Sequence, residues 1–137
     1  MKTLILYYSY SGHAKALAEQ AAAAAGAAIY EIKDAKRPPK VLTFLMGCPL
    51  SIMGKGWSIA PLEIDLEAYD EIQVYAPIWA GNVPPAINSA LAFLPAGKAV
   101  AYTLVSLSGA CKAEERLRTV TEGRGCTFAG LANVKST

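Results

Sequence analysis

Apolar residues fall along this chain in short runs set apart by stretches of a different period. Thr3–Tyr8 (TLILYY) is a continuous apolar run, as a strand covered on both faces should be. Ala27–Lys33, Ile72–Ile78, Ala99–Leu107 and Thr127–Val134 read as four further strands. Between them, His13–Ala25 is alanine-rich and stops at Gly26, where a helix C-terminus belongs. Pro84–Leu94 and Lys112–Glu122 read as two more helices. Pro84 and Pro85 suit a first turn, and Pro95 with Gly97 ends that helix.

Strands that alternate with helices predict right-handed crossovers and a mostly parallel sheet. The stretch from Asp34 to Asp70 is the least regular. KRPP breaks it, VLTFLMGCPLSIMGKG reads as a helix interrupted by Gly47 and Pro49, and GWSIAPLEIDL reads as loop. A connection this long in a small domain is more often functional or partner-facing than idle. The 137 residues are expected to form one domain, with no repeats and no linker.

Hydrophobic residues make up 53% of the chain and charged residues 18%, which indicates a globular core rather than disorder. The net charge of +2 comes from basic residues spread along the sequence, so no nucleic-acid footprint is marked. The apolar runs are too short to span a bilayer. The first residues show neither a charged lead nor a small-residue cleavage site, so a cytoplasmic location without a signal peptide is expected. Cys48, Cys111 and Cys126 form no CxxC pair and share the chain with one histidine, which argues against a disulfide framework and a zinc site.

In an open parallel sheet, ligands bind outside the carboxyl ends of the strands where strand order reverses. Here those ends lead into SYSGHA (Ser9–Ala14), PIWAGN (Pro77–Asn82) and SLSGAC (Ser106–Cys111), and none of the three holds Asp or Glu. SYSGHA reads as an anion nest. Ser9 and Ser11 offer hydroxyls, Gly12 permits close backbone approach, and the following helix start adds positive potential, with Lys15 in its first turn. The plainer reading is that Ser11 is an N-cap and Gly12 a turn residue. In PIWAGN, Trp79 suits stacking on a planar ring, against the alternative of a Trp packed under a loop. A phosphate cradle beside an aromatic plate implies a ligand with a phosphate at one end and a flat ring at the other.

Together, SYSGHA, APIWAGNVPPAI and SLSGAC resemble the flavodoxin-like family, and more narrowly its short bacterial members. In those, YYSxSGNT opens the chain and PxWxGxxPPxxxxFL follows the third strand; NVPPAINSALAFL fits the latter. The resemblance spans essentially the full length. It implies a five-stranded parallel sheet in order 2-1-3-4-5, helices on both faces, and FMN at the strand 1/3 switch point. By motif match, Ser9, Tyr10, Ser11, Gly12, His13 and Ala14 would hold the FMN phosphate. Pro77, Ile78, Trp79, Ala80, Gly81 and Asn82 would border the isoalloxazine, with Trp79 stacking on it. Ser108 and Gly109 would close the other side.

The chain departs from that pattern at three points. His13 and Ala14 stand where the family usually carries Asn and Thr, removing one hydroxyl donor. Losing a hydrogen bond to a charged group costs about 1.5–3 kcal/mol, up to roughly a hundredfold in affinity. The family's final helix after the fifth strand is missing, so a homodimer is expected to bury the bare sheet face. The charge is slightly basic, which fits poorly with docking on basic reductases.

The expected function is an FMN-binding small flavin oxidoreductase or electron carrier, working with a redox partner or a small-molecule substrate and with neither nucleic acid nor membrane. With no acid in the three loops, a less negative potential than that of a low-potential flavodoxin is expected. The rival reading is a degenerate flavodoxin-like module without FMN that binds proteins through Asp34–Asp70. No residue announces itself as an essential acid or base. Cys111 reads as a structural thiol and Trp57 as core or lid packing.

Other chemistries fail on spacing. A receiver domain needs an acidic pair after the first strand, and the first acid here is Glu19. Four residues intervene between Cys111 and Arg116 and six between Cys111 and Arg118, where a tyrosine phosphatase needs five. Gly47 and Gly54 are too far apart for a phosphate-binding GxxxxGK[ST] loop, and GRGCTF is too short for a dinucleotide fingerprint.

Overall fold

The computed structural model describes residues 2–9, 12–35, 48–50, 52–79, 81–106 and 113–135. Five strands, β1 (Thr3–Tyr7), β2 (Ala28–Glu31), β3 (Glu71–Pro77), β4 (Ala99–Ser106) and β5 (Thr127–Lys135), form one sheet in order β2-β1-β3-β4-β5. Every adjacent pair is parallel, so the chain has the flavodoxin-like topology. Among the described residues, α1 (His13–Ala25), α2 (Pro85–Leu91) and α3 (Glu114–Gly123) are the complete α-helices that lie between them. A 3-10 turn at Leu66–Ala68, whose start is capped by Asp65, leads into β3.

The pleat sorts each strand's side chains to two faces. Leu4, Leu6 and Tyr8 join Ile72, Val74, Ala76, Val100, Tyr102 and Leu104 in the larger core, closed by Ala86, Ile87, Ala90 and Leu91 of α2 and by Leu117 of α3. On the opposite face Ile5 and Tyr7 meet Ala18 and Ala22 of α1. Ala14, Ala18 and Ala22 recur every four residues and are the buried positions of that helix. With only methyl groups on this stripe, α1 lies close to the sheet.

The helix bounds shift slightly from expectation. The α2 helix ends at Leu91 rather than Leu94, because Phe93 and Leu94 turn with i→i−3 bonds to Ala90 and Leu91. A bulge sits where Val100 pairs with Phe128 but Ala101 with Gly130, leaving Ala129 as the extra residue. Gly130 supplies φ 140° there, a value open to glycine alone.

Within the Asp34–Asp70 connection, the GWSIAPLEIDL stretch, expected as loop, is tied back to the end of β2 at one point. Asp34 bridges Ile59 in antiparallel sense, with Ala35 N donating to Ser58 O at 3.2 Å and Ala60 N to Lys33 O at 2.8 Å. Residues 48–50 and 52–53 are helical, while 36–47, including Gly47, lie outside the described residues. Among the described residues no helix covers β4 and β5 on the α1 side, where Ala101 and Thr103 are half-buried and Ala132 is exposed.

Candidate functional site

Three loops leave the carboxyl ends of β1, β3 and β4, which are neighbours in the sheet. Strand order turns back at β1, whose neighbours β2 and β3 lie on opposite sides, and in open parallel sheets such a switch point is where ligands bind.

After β1, Ser9 Oγ accepts a hydrogen bond from Gly12 N at 2.8 Å and closes a turn in front of α1. Gly12 is the N-cap residue with φ 98° and ψ −9°, a left-handed conformation that L side chains rarely adopt. No described residue lies within 4 Å of where a Cβ would stand on Gly12. Among the described residues no side chain caps α1, and no acid sits in its first turn. The backbone donors and positive end of a four-turn helix therefore face that side without a competing carboxylate. His13 is exposed beside it. Ala14, by contrast, is 2% exposed, on the buried stripe of α1 with Ala18 and Ala22. Tyr10 and Ser11 lie outside the described residues.

After β3, Trp79 and Asn82 exchange both backbone hydrogen bonds, at 2.7 and 3.0 Å, around a turn in which Gly81 has φ 83°. Ile78 N donates to Val105 O at 2.9 Å, tying the turn to the end of β4. Pro77 and Ile78 are half-buried, and Asn82 is 8% exposed. Trp79 is 4% exposed. Its ring meets Tyr8 at 6.0 Å and Trp57 at 5.9 Å between centroids, both edge-on at 76°. It thus lines the site from within the core instead of presenting an open face. Ala80, together with Ser108, Gly109 and Cys111 of the third loop, lies outside the described residues.

One group in this region had no signal in local sequence. Asp34, just beyond β2, accepts from Tyr8 Oη at 2.7 Å and from Trp57 Nε1 at 2.9 Å. None of the three loops carries an acid, yet folding brings this carboxylate to the end of β1. The pairs are separated by 26 and 23 residues, a reach that no motif spacing could signal. The segment around Trp57 is further held by α2, with Ser89 Oγ donating to Trp57 O and Asn88 Nδ2 to Lys55 O at 3.0 Å. Arg116 of α3 donates to Ile52 O at 2.8 Å. Tyr7, on the α1 side of β1, is held protonated above its usual range by burial first, then by Glu31 and Glu19.

No protein-family model matches this chain, and no curated protein does. Solved structures do. A flavoprotein of Lactobacillus acidophilus NCFM, crystallised in complex with FMN, is 25% identical over 96% of this chain and 91% of its own, with a TM-score of 0.75. A Bacteroides uniformis ATCC 8492 protein assigned as a flavoprotein is 27% identical over 98% and 92%, with a TM-score of 0.79. The two-electron reduced flavodoxin of Megasphaera elsdenii shares the fold at 19% identity over 96% and 85%, with a TM-score of 0.61.

Proposed function

The structural neighbours of this chain are flavodoxin-like flavoproteins, and from that premise we propose that it binds FMN at the ends of β1, β3 and β4 and serves as a small flavin oxidoreductase or electron carrier. The observation that carries the reading is the start of α1: free of acids in its first turn and, among the described residues, without a side-chain cap and preceded by a glycine with nothing against its outer side. Such a helix start fits a phosphate dianion.

In this reading the Ser9–Ala14 turn holds the phosphate. Ser9 keeps the turn closed through its bond from Gly12 N, and Gly12 lets the anion approach the backbone. His13 offers an exposed ring beside it. The Pro77–Asn82 turn borders the isoalloxazine. Since Trp79 is nearly wholly covered, its contribution is as the wall behind that turn more than as an outer stacking plate. FMN, when bound, supplies electron and hydride transfer; the chain's part is to orient it, exclude water and set the charge around it. The redox partner or substrate follows from that role.

The test is an absorption spectrum of the purified protein before and after addition of FMN. Flavin bands that stay with the protein through desalting support the reading. Absence of retained flavin, with no quenching of added FMN at micromolar protein, would refute it and favour a protein-binding module.

The half-face of β4 and β5 on the α1 side favours one addition. Parallel sheets are normally covered on both faces, and Ala101, Thr103 and Ala132 are left accessible among the described residues. We propose that a second copy of the chain covers them. Light scattering at high concentration should report a dimer, and a monomer would rule this out.

A further inference from the structure

We propose that Asp34 is a positioning residue for the candidate site: its carboxylate sets the Trp79–Asn82 turn by fixing the aromatic wall behind it. The inference rests on the FMN reading for its functional consequence, although the wall itself is a property of the folded chain.

Asp34 spends its two carboxylate oxygens on different elements. Oδ2 accepts from Tyr8, at the outlet of β1, and Oδ1 accepts from Trp57, in the long connection. Bonds of this type to an ionised acceptor are about twice as strong as neutral ones. They fix both donors' rings, because Tyr8 and Trp57 each have only two side-chain torsions. Both rings then meet Trp79 edge-on at the same interplanar angle, 76°, from centroids 6.0 and 5.9 Å away. This is the geometry that aromatic quadrupoles prefer.

The Trp79 ring is anchored by these contacts, and its backbone opens the turn closed by the reciprocal Trp79–Asn82 bonds. A chain of contacts therefore runs from one carboxylate to the backbone that would border a flat ring. The backbone pairing of Lys33–Ala35 with Ser58–Ala60 brings Asp34 within reach of Trp57. Backbone pairing alone would leave the Trp57 ring free to choose its rotamer; the carboxylate decides it.

The chain's two tryptophans are the two in this wall, so the apo protein carries its own reporter. Three variants separate the contributions. Asp34→Ala removes both acceptors. Asp34→Asn keeps one. Trp57→Phe keeps a ring in place but removes one donor, and guards against misfolding of the first. Near-UV circular dichroism and tryptophan emission are read without FMN, and an FMN titration is read by flavin quenching, with far-UV dichroism and urea midpoints as controls for folding.

Asp34→Ala should lose the structured near-UV signal, shift emission to the red and weaken FMN about tenfold or more. Asp34→Asn and Trp57→Phe should each fall between it and the wild type in affinity. If Asp34→Ala keeps the wild-type near-UV signal or the wild-type FMN affinity, the proposal is overturned. If Asp34→Ala does not fold, Trp57→Phe and Asp34→Asn decide, and wild-type affinity in both overturns it. Failure of the wild type to bind FMN would refute the FMN reading, and with it the functional half of this proposal. The near-UV signal of Asp34→Ala would still decide whether the carboxylate sets the wall.

Discussion

Ionisation of a single phenol provides a test of the core that carries the site. Tyr102, in β4, is 1% exposed, and its Oη stands 2.5 Å from Thr121 Oγ1 of α3, a residue that is itself fully buried. Burial pushes the Tyr102 phenol from 10 up to about 12, opposed by the hydrogen bond to Thr121 and assisted slightly by Cys126. A rise of about two units corresponds to about 3 kcal/mol of difference between the two protonation states. The unfolded chain ionises near the ordinary value and the folded one later, so the folded state binds more protons in between. The contribution is complete below about pH 10 and is lost as pH rises towards about 12, at roughly 1.4 kcal/mol per pH unit.

Urea unfolding followed by far-UV dichroism, from neutral pH to about pH 12, measures the loss directly. The wild type should lose about 3 kcal/mol more over that window than Tyr102→Phe, which cannot ionise there. The comparison cancels the other tyrosines, which both proteins share. At neutral pH, Tyr102→Phe and Thr121→Val should each cost about 1–3 kcal/mol, because each strands a buried hydroxyl. The double variant should lose less than the sum. Parallel pH profiles for wild type and Tyr102→Phe, or strict additivity of the pair, would refute the reasoning.

Two glycines separate backbone strain from ligand approach. Gly12→Ala and Gly26→Ala both place a side chain at positive φ, 98° and 63°, with no described residue in the way. Each should cost about 1–2 kcal/mol in urea unfolding. Only Gly12→Ala should also weaken FMN, and equal FMN affinity in the two variants would count against the Ser9–Ala14 turn as a phosphate cradle. Gly56→Ala should destabilise by about 1–3 kcal/mol, since its Cβ would stand 2.3 Å from Ser89 Oγ and 3.0 Å from Ser89 N. A variant as stable as the wild type would mean that the segment around Trp57 does not bear on α2 as described.

Much of the architecture was readable because its signals are local. An apolar run such as TLILYY has to be covered on both faces, an alanine stretch ending in glycine propagates and then stops a helix, and Pro84–Pro85 opens one. These repeat often enough to predict five strands in a mostly parallel sheet, while the strand order came from the family resemblance. The loops after β1 and β3 were legible for the same reason, since glycine and small polar residues at a strand end are unusual and their type decides which backbone conformations are open. The length of α2 was not, because three hydrogen bonds to the preceding carbonyls end it in a turn that its composition does not announce.

The sequence by itself determined the elements, their alternation and the absence of acids from the three loops, because propensity and periodicity act over a few residues. Only the tertiary structure decided what stands behind those loops. It brought Asp34 to Tyr8 and Trp57 across 26 and 23 residues, turned Trp79 inward between two rings, and placed Ala14 on the buried stripe of α1. It also left half of one sheet face without a helix among the described residues. These outcomes depend on which distant surfaces must be buried together and on where a charged oxygen finds its donors. Both are balances of packing and hydrogen bonding over the whole fold, which no local pattern encodes.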